Sequence, residues 1–323
     1  MQSPYQTQCV SPIYTHQDRE ILLNHMRLCY GVTMFGSIEF GGTKIRCAIF
    51  DIDGNILTTK NIKTEDPHKN LETIDQFFSN STIKSVGVGA FGPIGVNKDD
   101  PQYGVIQNTP KIQWKNYNLL EHLEAILKCK IGLVTDVGLS AIGEYYMGVG
   151  KNSSSILYLT IGTGIGGAFI QNGKIINGYS HPEMGHIEVS REEDDNVESV
   201  CPYHTSCLEG LASGPSIQKR SNLSGEHTDI NDLSFEYASR YIAKALYTYS
   251  LILSPYKIVL GGGLINKIGF IEKIQNHFNR IKGDYINIPD PKNYIVKPGL
   301  KNDSALYGGY LVAKSLLDSN MIL

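Results

Sequence analysis

Short apolar runs separated by glycine turns open the interpretable part of the chain, and the same plan returns farther along. Residues 37–57 read as an apolar strand, a turn at Gly41-Gly42-Thr43, a second strand through Phe50, an Asp53-Gly54 hairpin turn and a third strand. Residues 155–176 repeat it: a strand over 156–161, then Gly162-Thr163-Gly164 and Gly166-Gly167, a short strand to Ile170, an Asn172-Gly173 turn and another strand. Between the repeats, the pattern predicts helix over 69–80, strand over 84–90, and a loop at Phe91-Gly92-Pro93-Ile94-Gly95. Helix over 118–128, a buried strand over 131–135 and helix over 138–147 follow, which puts Asp136 at a strand's carboxyl end. Farther on, 207–220 and 233–253 are expected to be helical and 257–260 a buried strand. Gly261-Gly262-Gly263 should open a helix from 266 onward, and 304–316 should close the chain as a helix crossing back to the first half.

This weak duplication predicts an α/β fold of two lobes, each begun by a strand, a turn stripped of side chains and a second strand, with a cleft between them. The first lobe is expected over 34–136 plus about 303–318, and the second over 137–302. That is the architecture shared by actin, the seventy-kilodalton heat-shock proteins and the sugar kinases. Residues 1–33 stand apart. They carry Asp18, Arg19 and Glu20 and lack the apolar core of a secretory signal. They are expected to be an extension, disordered or lying upstream of a start at Met34, with a short helix near 18–29.

At 323 residues with a formal charge of −3, the chain can bury proper cores, and it has no Lys/Arg stripe of the kind phosphate neutralisation on nucleic acid demands. No run of eighteen or so apolar residues suggests a membrane span. Six cysteines, four of them scattered at Cys9, Cys29, Cys47 and Cys129, do not resemble a disulfide framework and fit a reducing cytoplasm.

Cys201 and Cys207 are different. With His204 between them they recur every third residue, and His186 upstream can complete a tetrahedral zinc site of sulfur and nitrogen donors within residues 181–210. A site closed by four protein ligands holds structure rather than attacking substrate. Two free thiols and solvent-facing imidazoles are the alternative. Glu183 and Glu209 are threaded through these ligands, so a metal would aim both carboxylates toward one cleft, a geometry suited to a polyhydroxylated ligand. Glu209 in the first turn of a helix is also accounted for by the helix dipole alone.

Gly162-Thr163-Gly164-Ile165-Gly166-Gly167 formally satisfies a dinucleotide-binding pattern, but it leads into a strand rather than a helix, so that reading fails on context. A Walker A loop fails too, because no Gly-Lys-Ser or Gly-Lys-Thr follows such a turn. What remains is a hairpin whose amides and Thr163 hydroxyl can approach phosphate oxygens. Gly41, Gly42, Thr43 and Lys44 can do the same from the opposite wall, with Lys44 adding a positive charge. Either turn alone is explained as a tight hairpin; the pair facing one cleft favours phosphate. Gly261, Gly262 and Gly263 let backbone approach a flat ligand such as adenine, and Pro215 is expected to line the same pocket.

At these residues the chain resembles the ROK family of bacterial sugar kinases and repressors, in its fructokinase branch. The likeness runs from Met34 onward through Gly-Gly-Thr-Lys, Phe-Gly-Pro-Ile at 91–94, Asn-Thr-Pro-Lys with Trp114, Thr-Asp-Val at 135–137, Gly-Thr-Gly-Ile-Gly-Gly, His-Pro-Glu-Met-Gly-His at 181–186, Cys-Pro-Tyr-His, Cys-Leu-Glu-Gly and Gly-Gly-Gly. Glu39, where many relatives carry Asp, resembles the fructokinase form. The resemblance implies ATP-dependent phosphorylation of a free hexose, foremost D-fructose to fructose 6-phosphate, with Mg²⁺ and a structural Zn²⁺. It makes Asp136 the general base, although an Asp before an apolar helix is otherwise read as an N-cap. It makes His186, Cys201, His204 and Cys207 the zinc ligands, and assigns Glu183, Glu209, His186, Asn108 and Lys111 to the sugar. It also implies a homodimer. Two departures stand out: Gly138, where the family usually has Asn, and an acidic loop at 191–198 where the branch is more basic. Mannose, glucose and N-acetylated hexosamines are the alternative substrates. A sugar-responsive regulator is the alternative class, but residues 1–33 are too short for a helix-turn-helix domain.

Overall fold

The computed structural model describes residues 33–109 and 111–318; the helix expected near 18–29 lies outside them. The first half runs β1 (Met34–Phe40), β2 (Lys44–Phe50), β3 (Ile56–Lys63), α1 (Pro67–Phe78), β4 (Ile83–Ala90), a ribbon of β5 (Val105–Ile106) and β6 (Tyr117–Asn118), α2 (Leu119–Leu127), β7 (Lys130–Thr135) and α3 (Asp136–Tyr146). The second runs β8 (Ser155–Ile161), β9 (Ile165–Gln171), β10 (Lys174–Ile175), α4 (Leu208–Ala212), α5 (Gly214–Ser221), α6 (Leu233–Leu253), β11 (Lys257–Gly261), α7 (Phe270–Lys282), α8 (Pro291–Tyr294), β12 (Ile295–Val296) and α9 (Ser304–Ser315).

Each half builds the same sheet. The orders are β3-β2-β1-β4-β7 and β10-β9-β8-β11-β12, antiparallel in the meander and parallel beyond it. The duplicated glycine turns therefore occupy equivalent places, between β1 and β2 and between β8 and β9. Local signals fix the helices: Asp66 caps α1 by accepting from His68 N and Lys69 N ahead of Pro67, and Asp232 caps α6 by accepting from Ser234 N. Leu71, Ile74 and Phe78 then put one stripe of α1 into the core of the first sheet.

Some expectations needed correction. The single helix over 207–220 is two, because Ser213 is extended (φ −79°, ψ 171°), Pro215 sits in the first turn of α5, and the Gly214 amide turns away to the Gly162 carbonyl at 2.7 Å. After the glycine triplet comes a single 3₁₀ turn, Gly263–Asn266, and α7 waits until Phe270, past Gly269 at φ +88°. β3 continues to Lys63 through polar residues, and as the edge strand it alternates half-buried positions with exposed Thr59, Asn61 and Lys63.

The two halves meet where α3 packs on α9, which also covers β1 and β4. Glycines make that approach possible. A Cβ on Gly308 would stand 1.9 Å from the Leu139 carbonyl oxygen, one on Gly143 2.1 Å from that of Ser304, and one on Gly87 2.0 Å from that of Gly309. Fully buried Glu144 ties the same region together, its carboxylate accepting from Val149 N (3.0 Å), Gly299 N (2.9 Å), Leu300 N (2.9 Å) and Ser304 Oγ (2.7 Å). Gly308→Ala should therefore destabilise the protein by about 3 kcal/mol, because backbone cannot yield as a side-chain tip can. Urea denaturation measures this, and a variant within about 0.5 kcal/mol of the parent would show that the helices separate freely.

Candidate active site and metal centre

Backbone pairing brings the four Cys/His ligands together. Val189 N bonds Ser206 O and Leu208 N bonds Ile187 O, so the strand-like segment after His186 lies antiparallel beside Cys207. The ligand atoms of His186, Cys201, His204 and Cys207 all lie within 4.8 Å of one another. Cys201 Sγ is 3.8 Å from His186 Nδ1 and 3.5 Å from His204 Nδ1, and Cys207 Sγ is 3.7 Å from His186 Nδ1. Tetrahedral zinc, with bonds near 2.3 Å to sulfur and 2.0 Å to nitrogen, requires sulfur–nitrogen edges of about 3.5 Å. The donor set and its spacing thus fit Zn²⁺, and the cluster could hold it. Using Nδ1 for the metal leaves His186 Nε2 facing Glu209 Oε1 at 3.8 Å.

Within the acidic loop at 191–198, Asp195 and Glu192 are paired to the helices that follow, while Glu193 and Asp194 are exposed. Buried Asp195 takes Arg220 at 2.7 Å and the Tyr241 hydroxyl at 2.7 Å, Glu192 takes Arg240 at 3.0 Å and Lys244 at 2.6 Å, and the Arg191 guanidinium gathers the carbonyls of Asp195, Val197 and Thr205. These bonds brace the cysteine loop against α5 and α6.

Glu209 lies in the first turn of α4, yet its Oε2 leaves that helix and accepts from Ile165 N at 2.8 Å. It therefore ties the metal loop to the second glycine turn, and a Cβ on Gly164 would come within 2.7 Å of that oxygen. The turn is a hairpin link between β8 and β9, with Thr163 exposed at its tip. The Gly162 carbonyl holds the start of α5, which places Pro215 beside this turn, and the Cβ position of Gly162 is 3.9 Å from Gly263 N. The triplet divides by role: Gly261 makes room for the Tyr158 hydroxyl (2.0 Å) and Gly262 adopts φ +89° against Ile161 backbone, whereas Gly263 faces open space. Packing alone accounts for the first two. Gly166 makes only ordinary contacts, at 3.6 Å, with Thr160 and Val137.

On the other wall, Gly42, Thr43 and Lys44 are exposed beyond Gly41, whose amide bonds Lys44 O at 3.0 Å. Lys111 stands here as well: its Cε is 3.8 Å from the Cβ position of Gly42, and its ammonium lies 5.8 Å from the Phe91 ring centroid. Asn108 is exposed on the same loop.

Asp136 opens α3, but Thr135 is the N-cap, its Oγ1 accepting from Gly138 N at 3.0 Å. The Asp136 carboxylate accepts the adjacent Val137 N at 2.8 Å and lies beside its own backbone N–H. Withdrawal from water pushes it up to about 6, against the pull of the backbone N–H. Loss of water, then the charges of Glu209 and Asp136, pushes Glu183 up to about 7, with 46% of its side chain still open to the cleft. Glu39, which the sequence marked only as a family variant, joins them. Burial and then the charge of Asp136 push it up to about 7, against the pull of Arg46 and Lys44. Arg46 is 3.7 Å from Glu39 Oε2, yet that buried oxygen has no hydrogen-bond partner among the described residues. Gly138 leaves no vacancy where the family carries Asn, since a Cβ there would meet Ile175 Cδ1 and Thr135 Oγ1 at 3.0 Å.

Two glycine turns at equivalent places, a cluster of carboxylates and a four-ligand Cys/His loop are thus assembled on duplicated sheets. The structure is similar to that of a ROK family glucokinase from Streptomyces griseus in complex with glucose and AMPPNP, with a TM-score of 0.71 and 22% identity over 88% of this chain and 100% of that one. In sequence, the fructokinase of Lactococcus lactis subsp. cremoris is 41% identical over 287 residues, 87% of this chain and 97% of its own. That of Pediococcus pentosaceus is 37% identical over 284 residues, 88% and 99% of the two chains. The ROK family model matches residues 35–315, and the chain belongs to the ROK family.

Proposed function

We propose that the cleft transfers the γ-phosphoryl group of ATP to the primary hydroxyl of a hexose, D-fructose above others, giving fructose 6-phosphate and ADP. The observation that carries this reading is Asp136: relieved of capping by Thr135, it keeps a raised carboxyl near enough to Glu39 and Glu183 for its charge to push both of them up. As the sugar oxygen attacks phosphorus and ADP leaves, Asp136 accepts the hydroxyl proton. Glu183, Glu209 and His186 would hold sugar hydroxyls, with Asn108 and Lys111 at the sugar's other side. Lys111, close to Gly42, would also meet the transferred phosphoryl group. Gly41, Gly42, Thr43, Lys44, Gly162, Thr163, Gly164 and Gly166 would hold phosphates, and Pro215 with Gly261, Gly262 and Gly263 would border adenine.

Mg²⁺ would enter with the nucleotide and neutralise phosphate charge, and Glu39, with its unsatisfied oxygen, suits it as a donor. Zn²⁺ would be structural, bound by His186, Cys201, His204 and Cys207. The lobes would divide near Asp136 and again near Asp303, and the protein would act as a cytoplasmic homodimer. Fructose is favoured because the relatives named fructokinase reach 41% identity, against 22% for the glucokinase structure. Gly138 withholds one sugar hydrogen bond, worth on the order of 1 kcal/mol, which should admit mannose as a poorer substrate. A coupled ADP-release assay comparing fructose, mannose, glucose and N-acetylmannosamine should give the highest kcat/KM on fructose. No turnover on any sugar, with folded and zinc-loaded protein, would sink the kinase reading and favour a sugar-responsive regulator.

A further inference from the structure

The first histidine of the His-Pro-Glu-Met-Gly-His run has no part in the metal set, yet His181 is tied to the opposite half of the fold. Its Nε2 accepts the Ile94 amide at 3.3 Å, a bond that joins a second-half loop to the first-half loop following β4. Because Nε2 accepts, the network assigns the proton to Nδ1, and Nδ1 lies beside Glu183 Oε1 at 3.6 Å, a packing contact longer than a hydrogen bond. Only 8% of the side chain is accessible, and Ile94, whose amide it takes, is buried at 1%. Burial holds the imidazole below its ordinary value, against a backbone bond at Pro182, consistent with a neutral ring. Gly92 completes the arrangement: a Cβ there would stand 3.1 Å from His181 Cε1 and 3.5 Å from Glu183 Oε1, so the loop is bare where both side chains press against it.

We propose that His181 is a positioning residue for sugar recognition, an imidazole anchored to the Ile94 amide whose ring packs beside Glu183 and limits the directions that carboxylate can take. This rests on the kinase reading above. Without the ring, Glu183 is free to rotate and the loop at 91–94 loses its tie to the opposite half, so sugar binding should suffer more than nucleotide binding. His181→Phe keeps a ring but removes both nitrogens. It should raise the fructose KM about tenfold, or about 1.4 kcal/mol, lower kcat by a smaller factor, and leave the ATP KM and zinc content unchanged. His181→Gln, which restores an acceptor near the Nε2 position, should recover most of the fructose KM.

Gly92→Ala pushes on the same pair from the loop side and should reproduce the rise, which covers the case of a Phe variant that does not fold. Unchanged fructose KM in His181→Phe or, if that protein is unfolded, in Gly92→Ala would overturn the proposal. So would equal rises in fructose and ATP KM. Parent protein assayed alongside separates the two readings: no turnover on any hexose sinks the kinase assignment, whereas normal turnover with unaffected variants sinks only the role of His181.

Discussion

Asp136→Asn should still bind fructose and Mg-ATP but turn over at least about a thousandfold more slowly, within the range a positioned general base supplies. The amide keeps the shape and the bond from Val137 N but cannot accept the substrate proton. The parent's activity should also report the carboxyl directly. A base must be ionised to work, so kcat/KM should rise with pH through about 6, where burial places this group, and the Glu183 and Glu39 carboxyls, pushed up to about 7, should extend the rise before it levels off. Stability moves the other way. A carboxyl raised above its unfolded value costs stability as pH climbs from the unfolded value toward the folded one, and the neutral amide escapes that cost. Above pH 6 the variant should therefore melt no lower than the parent. Titration calorimetry for both ligands, initial rates from pH 5 to 8 and a melting curve test the three parts. A thousandfold loss accompanied by a lower Tm would place Asp136 in the structure rather than in the reaction.

Cys207→Ser should be the most damaging change outside the reaction. Cys207 caps α4 through Gly210 N at 3.3 Å, donates one of four converging ligand atoms, and lies two residues before the carboxylate bonded to Ile165. Structural zinc sites in small domains contribute about 10–16 kcal/mol of binding free energy. Here separate hydrophobic cores carry most of the fold, so a loss of about 4 kcal/mol, on the order of 10 °C in Tm, is the expected scale. Metal analysis should find about one zinc per parent chain and little in the variant. A fully loaded parent whose Tm survives chelation unchanged would show that the metal is incidental to stability.

The duplicated meanders and the metal loop were legible because their signals are local. Glycine turns and Asp-Gly or Asn-Gly hairpins mark the first, and three ligands within seven positions mark the second. What escaped depends on distance or on weak sequence. β12 is only Ile295 and Val296, held by its neighbour β11, and the break at Ser213 follows from an amide drawn to Gly162 across the fold. The unsatisfied oxygen of Glu39, the approach of Lys111 to Gly42 and the bond from Ile94 to His181 are all meetings between segments far apart in the chain. No periodicity records such meetings.

The place of α9 in the fold also sets an order of events during synthesis. Phe35, Ala48 and Phe50 share a core with Leu306 and Tyr310 at the end of the chain, and Ser85 Oγ bonds Ala313 O at 2.7 Å. Roughly 250 residues separate β1 and β2 from the helix that covers them, so a ribosome working at 5–20 residues per second leaves their apolar face waiting roughly 10–50 s. The second half can assemble its own sheet in that interval, while the first must be shielded or remain loose. A nascent chain stalled before residue 304 should therefore be protease-sensitive in its N-terminal half and a preferred client of chaperones that bind exposed apolar sheet.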